Sequence, residues 1–476
     1  MVPLFYIIIC PFNYNGLLEV IMKLNPYRKW ILVWFLMLIG CGFPLFSIHA
    51  GQEADVKQKI EKLIDKKDFR HAIRLLKKSQ EQIGMQSYYY YSKMAYLNAK
   101  TGDRVTPLKF WTQGHKRGYF FGLALGFSTY QDFESVGGFK ELKERDKQLW
   151  QAAVQKNRCR ARVLLPTNYQ QKRTYPLLMV FHGGGSSTDQ AMKHWRSRRL
   201  KREFVTVFVQ SYLHYDYETF GWKGFDPRAR KEIQEIYKDS LRRYRIDTRR
   251  ILVGGISAGS VMAIDLAVNR VIPVTGFIGV CALTPKQFED SAVDAAAKGG
   301  LRGVFIGGDK DFGFKRQQQM EKAFRKHRML FRFMFRKGLG HRYPEDFSNQ
   351  LDDALAFLDC SEIRARDFMT VEKNIKNTIG WAKDKDLNTL YSIIADDPNY
   401  LEIHPGNRVV KGISEFRKAE KFWMDDRFKH VGFDVSDLKI NFSTAGDVAW
   451  FYCKLNDYNS WENKEVNWEN TRWTGV

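Results

Sequence analysis

Cysteine is scarce in this chain, with six in 476 residues, and none is paired as C-x-x-C. That absence gives no support to a dense disulfide framework or a cysteine-built metal centre. Cys159, Cys281, Cys360 and Cys453 read instead as small buried hydrophobes. Acidic residues are also in deficit, 53 against 76 Lys and Arg, which leaves a net charge of +23. Such a surface attracts phosphate-rich partners, anionic lipid headgroups or nucleic acid, yet no nucleic-acid-binding motif accompanies the charge and no specific nucleic-acid partner is expected. The densest run, Arg196 to Arg202, has Trp195, Leu200 and Phe204 at near-helical spacing. Its cations are read as the solvated face of a core-packed helix.

Long apolar runs are few as well. One stands near the amino end, Trp30 to Ile39, preceded by Lys23, Arg28 and Lys29 and followed by Ser47-Ile48-His49-Ala50. A positive stretch, an apolar stretch and a small-residue site make a signal peptide, with the true start at Met22 and the mature chain beginning near Gly51. Two alternatives stay open: acylation of Cys41 in Leu38-Ile39-Gly40-Cys41, and an uncleaved anchor, which Gly40, Gly42 and Pro44 weaken. The expected location is therefore periplasmic or extracellular.

What the sequence does contain is Gly255-Ile256-Ser257-Ala258-Gly259, set between an apolar strand run, Arg250 to Gly254, and an apolar helix run from Val261. A serine on a sharp strand-to-helix turn sits at strained backbone angles with its hydroxyl lifted above the sheet edge. Upstream, the strand run Tyr175 to Phe181 ends in His182-Gly183-Gly184-Gly185. Glycines after a strand leave N–H groups uncovered for a developing oxyanion, so Gly184, Gly185 and Ala258 are the candidate donors. His182 reads as a support for that loop rather than a base. Downstream, the strand Gly303 to Gly308 precedes Asp309-Lys310-Asp311, and Met329 to Phe335 precedes Gly338-Leu339-Gly340-His341. Serine, acid, histidine is the α/β-hydrolase chain order. Asp311 is preferred as the acid, with Asp309 kept as the alternative.

Residues from about Asn157 to Cys360 resemble a predicted esterase of the α/β-hydrolase superfamily. The resemblance implies an eight-stranded, mainly parallel sheet covered by helices, with the site at the carboxyl ends of the strands. Ser260 departs from it, standing where many relatives carry glycine. An aromatic loop, Tyr212 to Trp222, leaves a strand's carboxyl end, and Tyr215, Tyr217 and Trp222 are expected to line a substrate pocket, though they could equally plug the core.

Residues 51–150 read as helices around Thr101-Gly102-Asp103, loosely resembling tetratricopeptide repeats, and form either a plain cap or a binding surface. Residues 151–362 hold the hydrolase. The charged stretch Glu362 to Asp367 reads as a linker to residues 368–476. There, two helical regions precede three alternating strands, Gly432 to Phe442, Ala449 to Leu455 and Val466 to Val476. That order resembles the SnoaL-like, ketosteroid-isomerase-like cone, in which relatives continue into a further strand. A cone ending at Val476 would keep an open edge, to be completed by a longer gene product or another chain.

The fold class expected is thus α/β, an α/β-hydrolase preceded by helices and followed by an incomplete α+β cone. The function expected is ester hydrolysis by Ser257, Asp311 and His341 without cofactor or metal, acting on a small ester. A protein partner at the helical segment or the cone edge is the further expectation. The alternatives are a binding protein on a catalytically idle hydrolase fold, or chemistry housed in the cone.

Overall fold

The computed structural model describes residues 53–404, 408–443 and 448–476. The leader, Met22, Cys41 and the cleavage site near Gly51 lie outside the described residues. Two compact units divide the chain between Leu149 and Trp150, within the helix Phe139–Lys156.

The first unit is helical, running through 53–65, Phe69–Lys78, Tyr88–Lys100 and Thr106–Lys116. Asp68 and Ser87 start two of these helices by accepting the N–H groups of His71 and Tyr90. A buried carboxylate the sequence did not advertise holds the last helix to the loop before it. Asp146 accepts the Phe121 and Leu123 N–H groups at 2.7 and 2.8 Å and lies 2.9 Å from His115 Nε2.

The second unit is built on a seven-stranded sheet. Its strands are β1 Arg160–Leu164, β2 Tyr175–Phe181, β3 Val205–Gln210, β4 Ile246–Ile256, β5 Gly276–Val280, β6 Arg302–Gly307 and β7 Leu330–Phe335. They lie in the order β1-β3-β2-β4-β5-β6-β7; β1 is antiparallel and the rest are parallel. This is the α/β-hydrolase arrangement with seven strands in place of the expected eight. The chain passes from the helix Phe139–Lys156 straight into the antiparallel edge strand, so no further strand precedes it among the described residues.

Unbroken apolar runs such as β2 form strands buried on both faces, as a helix-covered parallel sheet requires. Along β2 the side chains alternate between two cores. Leu177, Met179 and Phe181 pack with Ile233, Met262 and Phe277, while Leu178 and Val180 pack with Trp195, Phe208 and Leu355. The register brings the carboxyl ends level: Phe181 lies opposite Gly255, Ile256 opposite Val280, and Gly307 opposite Phe335. Every loop leaving those ends opens on the same edge.

The expected linker is corrected. Glu362 to Asp367 forms the first turns of a helix, Glu362–Gly380, started by Ser361, whose hydroxyl accepts the Arg364 N–H at 3.2 Å. Its apolar side, with Ala365, Phe368 and Ile375, is buried in the core on one face of the seven-stranded sheet. Beyond it stand the hairpin β8 Leu401–Ile403 and β9 Val409–Lys411, then the long strands β10 Phe428–Phe442 and β11 Ala449–Trp461. The expected last strand divides into β12 Lys464–Glu465 and β13 Trp468–Gly475, both antiparallel to β11. No described helix is long and apolar enough to cross a membrane.

Candidate active site

β4 pairs with β5 to its last residue, and the Ser257 N–H then donates to Val280 O at 3.0 Å. At Ser257 the chain turns at φ +54°, ψ −120°, a region a side-chain-bearing residue enters only under constraint, and the helix Ala258–Val268 begins at once. Both flanking glycines are there because backbones cross. A Cβ on Gly255 would come 2.4 Å from Gly259 C and O, and one on Gly259 would come 2.2 Å from Phe181 O. Ser260, the departure from the family pattern, is fully buried. Its hydroxyl donates to Ser257 O at 2.6 Å and accepts the Leu283 N–H at 3.2 Å, tying the turn to the loop after β5. Only a small polar residue in a glycine's place hinted at that role.

The loops after β6 and β7 bring Asp311 and His341 together. Asp311 Oδ1 lies 2.8 Å from His341 Nδ1 and accepts the Gly313 N–H at 2.8 Å, while its Oδ2 accepts the Gln317 side-chain amide at 2.7 Å. Burial raises the carboxyl pKa, but the Gly313, His341 and Gln317 donors outweigh it and hold Asp311 below the usual aspartate value. Asp309 faces elsewhere. It is exposed and accepts the Gly338 N–H at 2.6 Å, clamping the loop that carries His341. The His341 ring is partly exposed and stacks on Phe312, with ring centres 4.2 Å apart. Among the described residues, neither Ser257 Oγ nor His341 Nε2 has a hydrogen-bond partner.

Cys281 adds a contact the sequence did not foretell. It follows β5 at φ +45°, fully buried, with its thiol 3.4 Å from Arg342 O. Burial and the nearby Asp311 push its pKa up to about 12, so the thiol stays protonated and serves as a brace for the histidine loop. Cys281, Asp311 and His341 offer donor atoms within 4.8 Å of one another. Within this group Asp311 and His341 are hydrogen-bonded to each other, the arrangement an acid–base pair needs.

His182 sits under the glycine loop after β2. Its Nδ1 donates to Gly183 O at 2.7 Å, and its Nε2 accepts from the Ser211 N–H at 3.2 Å and the Gln210 amide at 3.0 Å. Burial lowers its pKa to about 4, which makes it a neutral strut. A Cβ on Gly184 would lie 3.5 Å from the Ala258 Cβ and 3.3 Å from the Tyr215 ring. Gly184 therefore sits between the start of the helix after Ser257 and that tyrosine. Gly185 follows at φ +65°, open to a conformation glycine adopts freely. The N–H groups of Gly184, Gly185 and Ala258 have no acceptor among the described residues.

The aromatic loop divides its rings. Tyr215 lies against Gly184 and Gly221, and Tyr217 is exposed. Trp222, expected to line the pocket, is corrected: it belongs to the core beneath the loop, edge-on to Phe181, with its indole N–H donating to His182 O at 3.0 Å. An indole whose N–H finds a buried carbonyl is held down rather than presented to a ligand.

Residues 371–476 match the family model for the SnoaL-like domain. No curated protein is significantly similar to the chain. Among solved structures, a Bacillus cereus ATCC 10987 protein of uncharacterised function is 18% identical, covering 64% of this chain and 98% of its own, at a TM-score of 0.37. A ferulic acid esterase is 17% identical over 42% of this chain and 91% of its own, at a TM-score of 0.35. The Staphylococcus aureus fluorophosphonate-binding serine hydrolase FphF is 13% identical over 42% of this chain and 92% of its own, also at 0.35.

Proposed function

We propose that the protein hydrolyses carboxylic esters through a covalent acyl-serine. The reading rests most on one observation: a strained serine at the end of β4 shares the sheet edge with a hydrogen-bonded Asp311–His341 pair. His341 Nε2 takes the Ser257 proton as Oγ attacks the ester carbonyl. Asp311 holds the Nδ1–H tautomer and stabilises the imidazolium that results. The tetrahedral oxyanion receives the N–H groups of Ala258, Gly184 and Gly185. Collapse expels the alcohol with the proton returned by His341, and water repeats the sequence on the acyl group to release the acid and restore Ser257. No cofactor enters. Tyr215, against the glycine loop, supplies an apolar wall for a short acyl or aryl group.

Ser257→Ala should lower aryl-ester turnover by about 10⁴-fold or more while leaving the thermal transition in place. A purified variant keeping half the wild-type rate would overturn the assignment. We place the activity outside the cytoplasm on the strength of the amino-terminal leader. Mass spectrometry of the exported protein should find a mature terminus near Gly51, and a lipid adduct on Cys41 or an intact leader would contradict that.

A further inference from the structure

The edge of the sheet opposite Ser257 carries a cavity. Where β2 and β3 begin, a cleft of about 840 Å³ is lined by Arg173, Arg196, Arg198, Lys201 and Arg202, and no Asp or Glu lines it. β2 spans seven residues, which puts about 20 Å between this cleft and the nucleophile's edge.

The solvated-face reading of the Arg196 to Arg202 run explains only part of what is there. Trp195, Leu200 and Phe204 are buried as that reading requires. Arg199 turns inward and pairs with Glu203 at 2.9 Å and Asp359 at 3.1 Å. The other four cations of the run remain exposed, and Arg173 joins them from the separate loop before β2. None of these five has a carboxylate partner among the described residues. The Thr167 N–H donates to Lys201 O at 2.7 Å and ties the two walls together, while within its own wall the Arg173 guanidinium lies over the Tyr175 ring at 5.4 Å. Five like charges held around one cleft repel one another unless an anion sits between them. Guanidinium forks match phosphate oxygens in pairs, and the Ser197 and Thr167 hydroxyls at the same cleft add neutral donors. One phosphate would satisfy two such forks and leave the remainder unpaired.

We propose that this cleft binds a small soluble ligand carrying two or more clustered phosphate groups, independently of the ester-hydrolysis reading. The test is calorimetric titration of the full chain with sodium tripolyphosphate at fixed salt. Wild-type protein and Ser257→Ala should bind at one saturable site with equal affinity. The Arg198→Glu/Arg202→Glu double variant, checked for an unchanged thermal transition, should lose at least tenfold. Lys231→Glu/Lys238→Glu, an equal charge change at exposed positions outside the cleft, should bind as the wild type does. Equal losses in both double variants would reduce the effect to net charge and overturn the proposal. Binding to phosphatidylglycerol vesicles with no saturable binding of tripolyphosphate would overturn it in favour of a lipid headgroup. Should the double variant fail to fold, Arg173→Gln at the opposite wall gives the same reading, and unchanged affinity there would contradict the proposal.

Discussion

Two aspartates stand two residues apart after β6, and only Asp311 touches a histidine. Asp311→Asn should cut ester turnover by about 100-fold or more, because an amide cannot hold the Nδ1–H tautomer or stabilise the imidazolium. Asp309→Asn keeps an acceptor for the Gly338 N–H and should stay close to wild type. Comparable small losses at both positions, measured as kcat/KM on one aryl ester, would move the acid elsewhere. Spacing alone left the two open because both sit in a turn; the donors that single out Asp311 are the Gly313 N–H, Gln317 on the helix that starts at Phe314, and His341 after β7. His182 carries a pH signature. Its folded pKa of about 4 lies below the ordinary histidine value, so the unfolded chain binds the extra proton between the two. Stability should therefore fall as pH drops from about 6.5 towards 4, by at most about 3 kcal/mol from this residue. His182→Gln, which keeps an acceptor for the Ser211 N–H, should flatten that part of the melting-temperature profile. An unchanged slope would mean that His182 is not held neutral. The reading of His182 as a loop support came from its place before three glycines. Trp222 was misread because an aromatic-rich loop does not reveal which rings fold under it.

At the scale of elements, the strand–turn–helix around Ser257 was the most legible part of the chain. Its glycines are dictated by backbone contacts as close as a van der Waals overlap with Phe181 O, and its flanks are continuous apolar runs. Ser260 was less legible, since one of its two hydrogen bonds comes from Leu283, in a loop more than twenty residues away. Ser260→Ala should destabilise the fold by about 1–3 kcal/mol, because it strips the Leu283 N–H of its buried acceptor and Ser257 O of a donor. Chemical denaturation measures this, and no loss would mean that both groups find other partners. The stretch from Glu362 to Asp367 was misread for the opposite reason. Its charges dominate the composition, while the burial of Ala365 and Phe368 against the hydrolase core, which makes it helical, is a tertiary effect.

For the whole molecule, residues 150–476 form one compact unit although the sequence divides them into a hydrolase and a cone. Ile440 of β10 is buried in the core that Leu252, Ile278 and Leu355 build on one face of the hydrolase sheet. Ion pairs join the same parts: Lys337 with Asp434, Lys439 with Asp353, and Arg332 with Glu372 on the connecting helix. Burial raises the Glu372 carboxyl pKa, yet Arg332 and Lys376 hold it at about 2. Ile440→Ala should therefore cost about 2 kcal/mol or more and lower the temperature at which ester turnover is lost. A tethered, independent cone would leave that temperature where it is. The resemblances implied both folds but not their shared core, because each strand of the second one alternates as it would alone.

The central claim is that Ser257 is an activated nucleophile, and a fluorophosphonate reads this without knowledge of the natural substrate. Peptide mass spectrometry after brief exposure should find one phosphonyl adduct, on Ser257, absent from the Ser257→Ala variant and strongly slowed in His341→Ala. An unlabelled Ser257 in folded protein, or an adduct forming at the same rate without His341, would contradict the account.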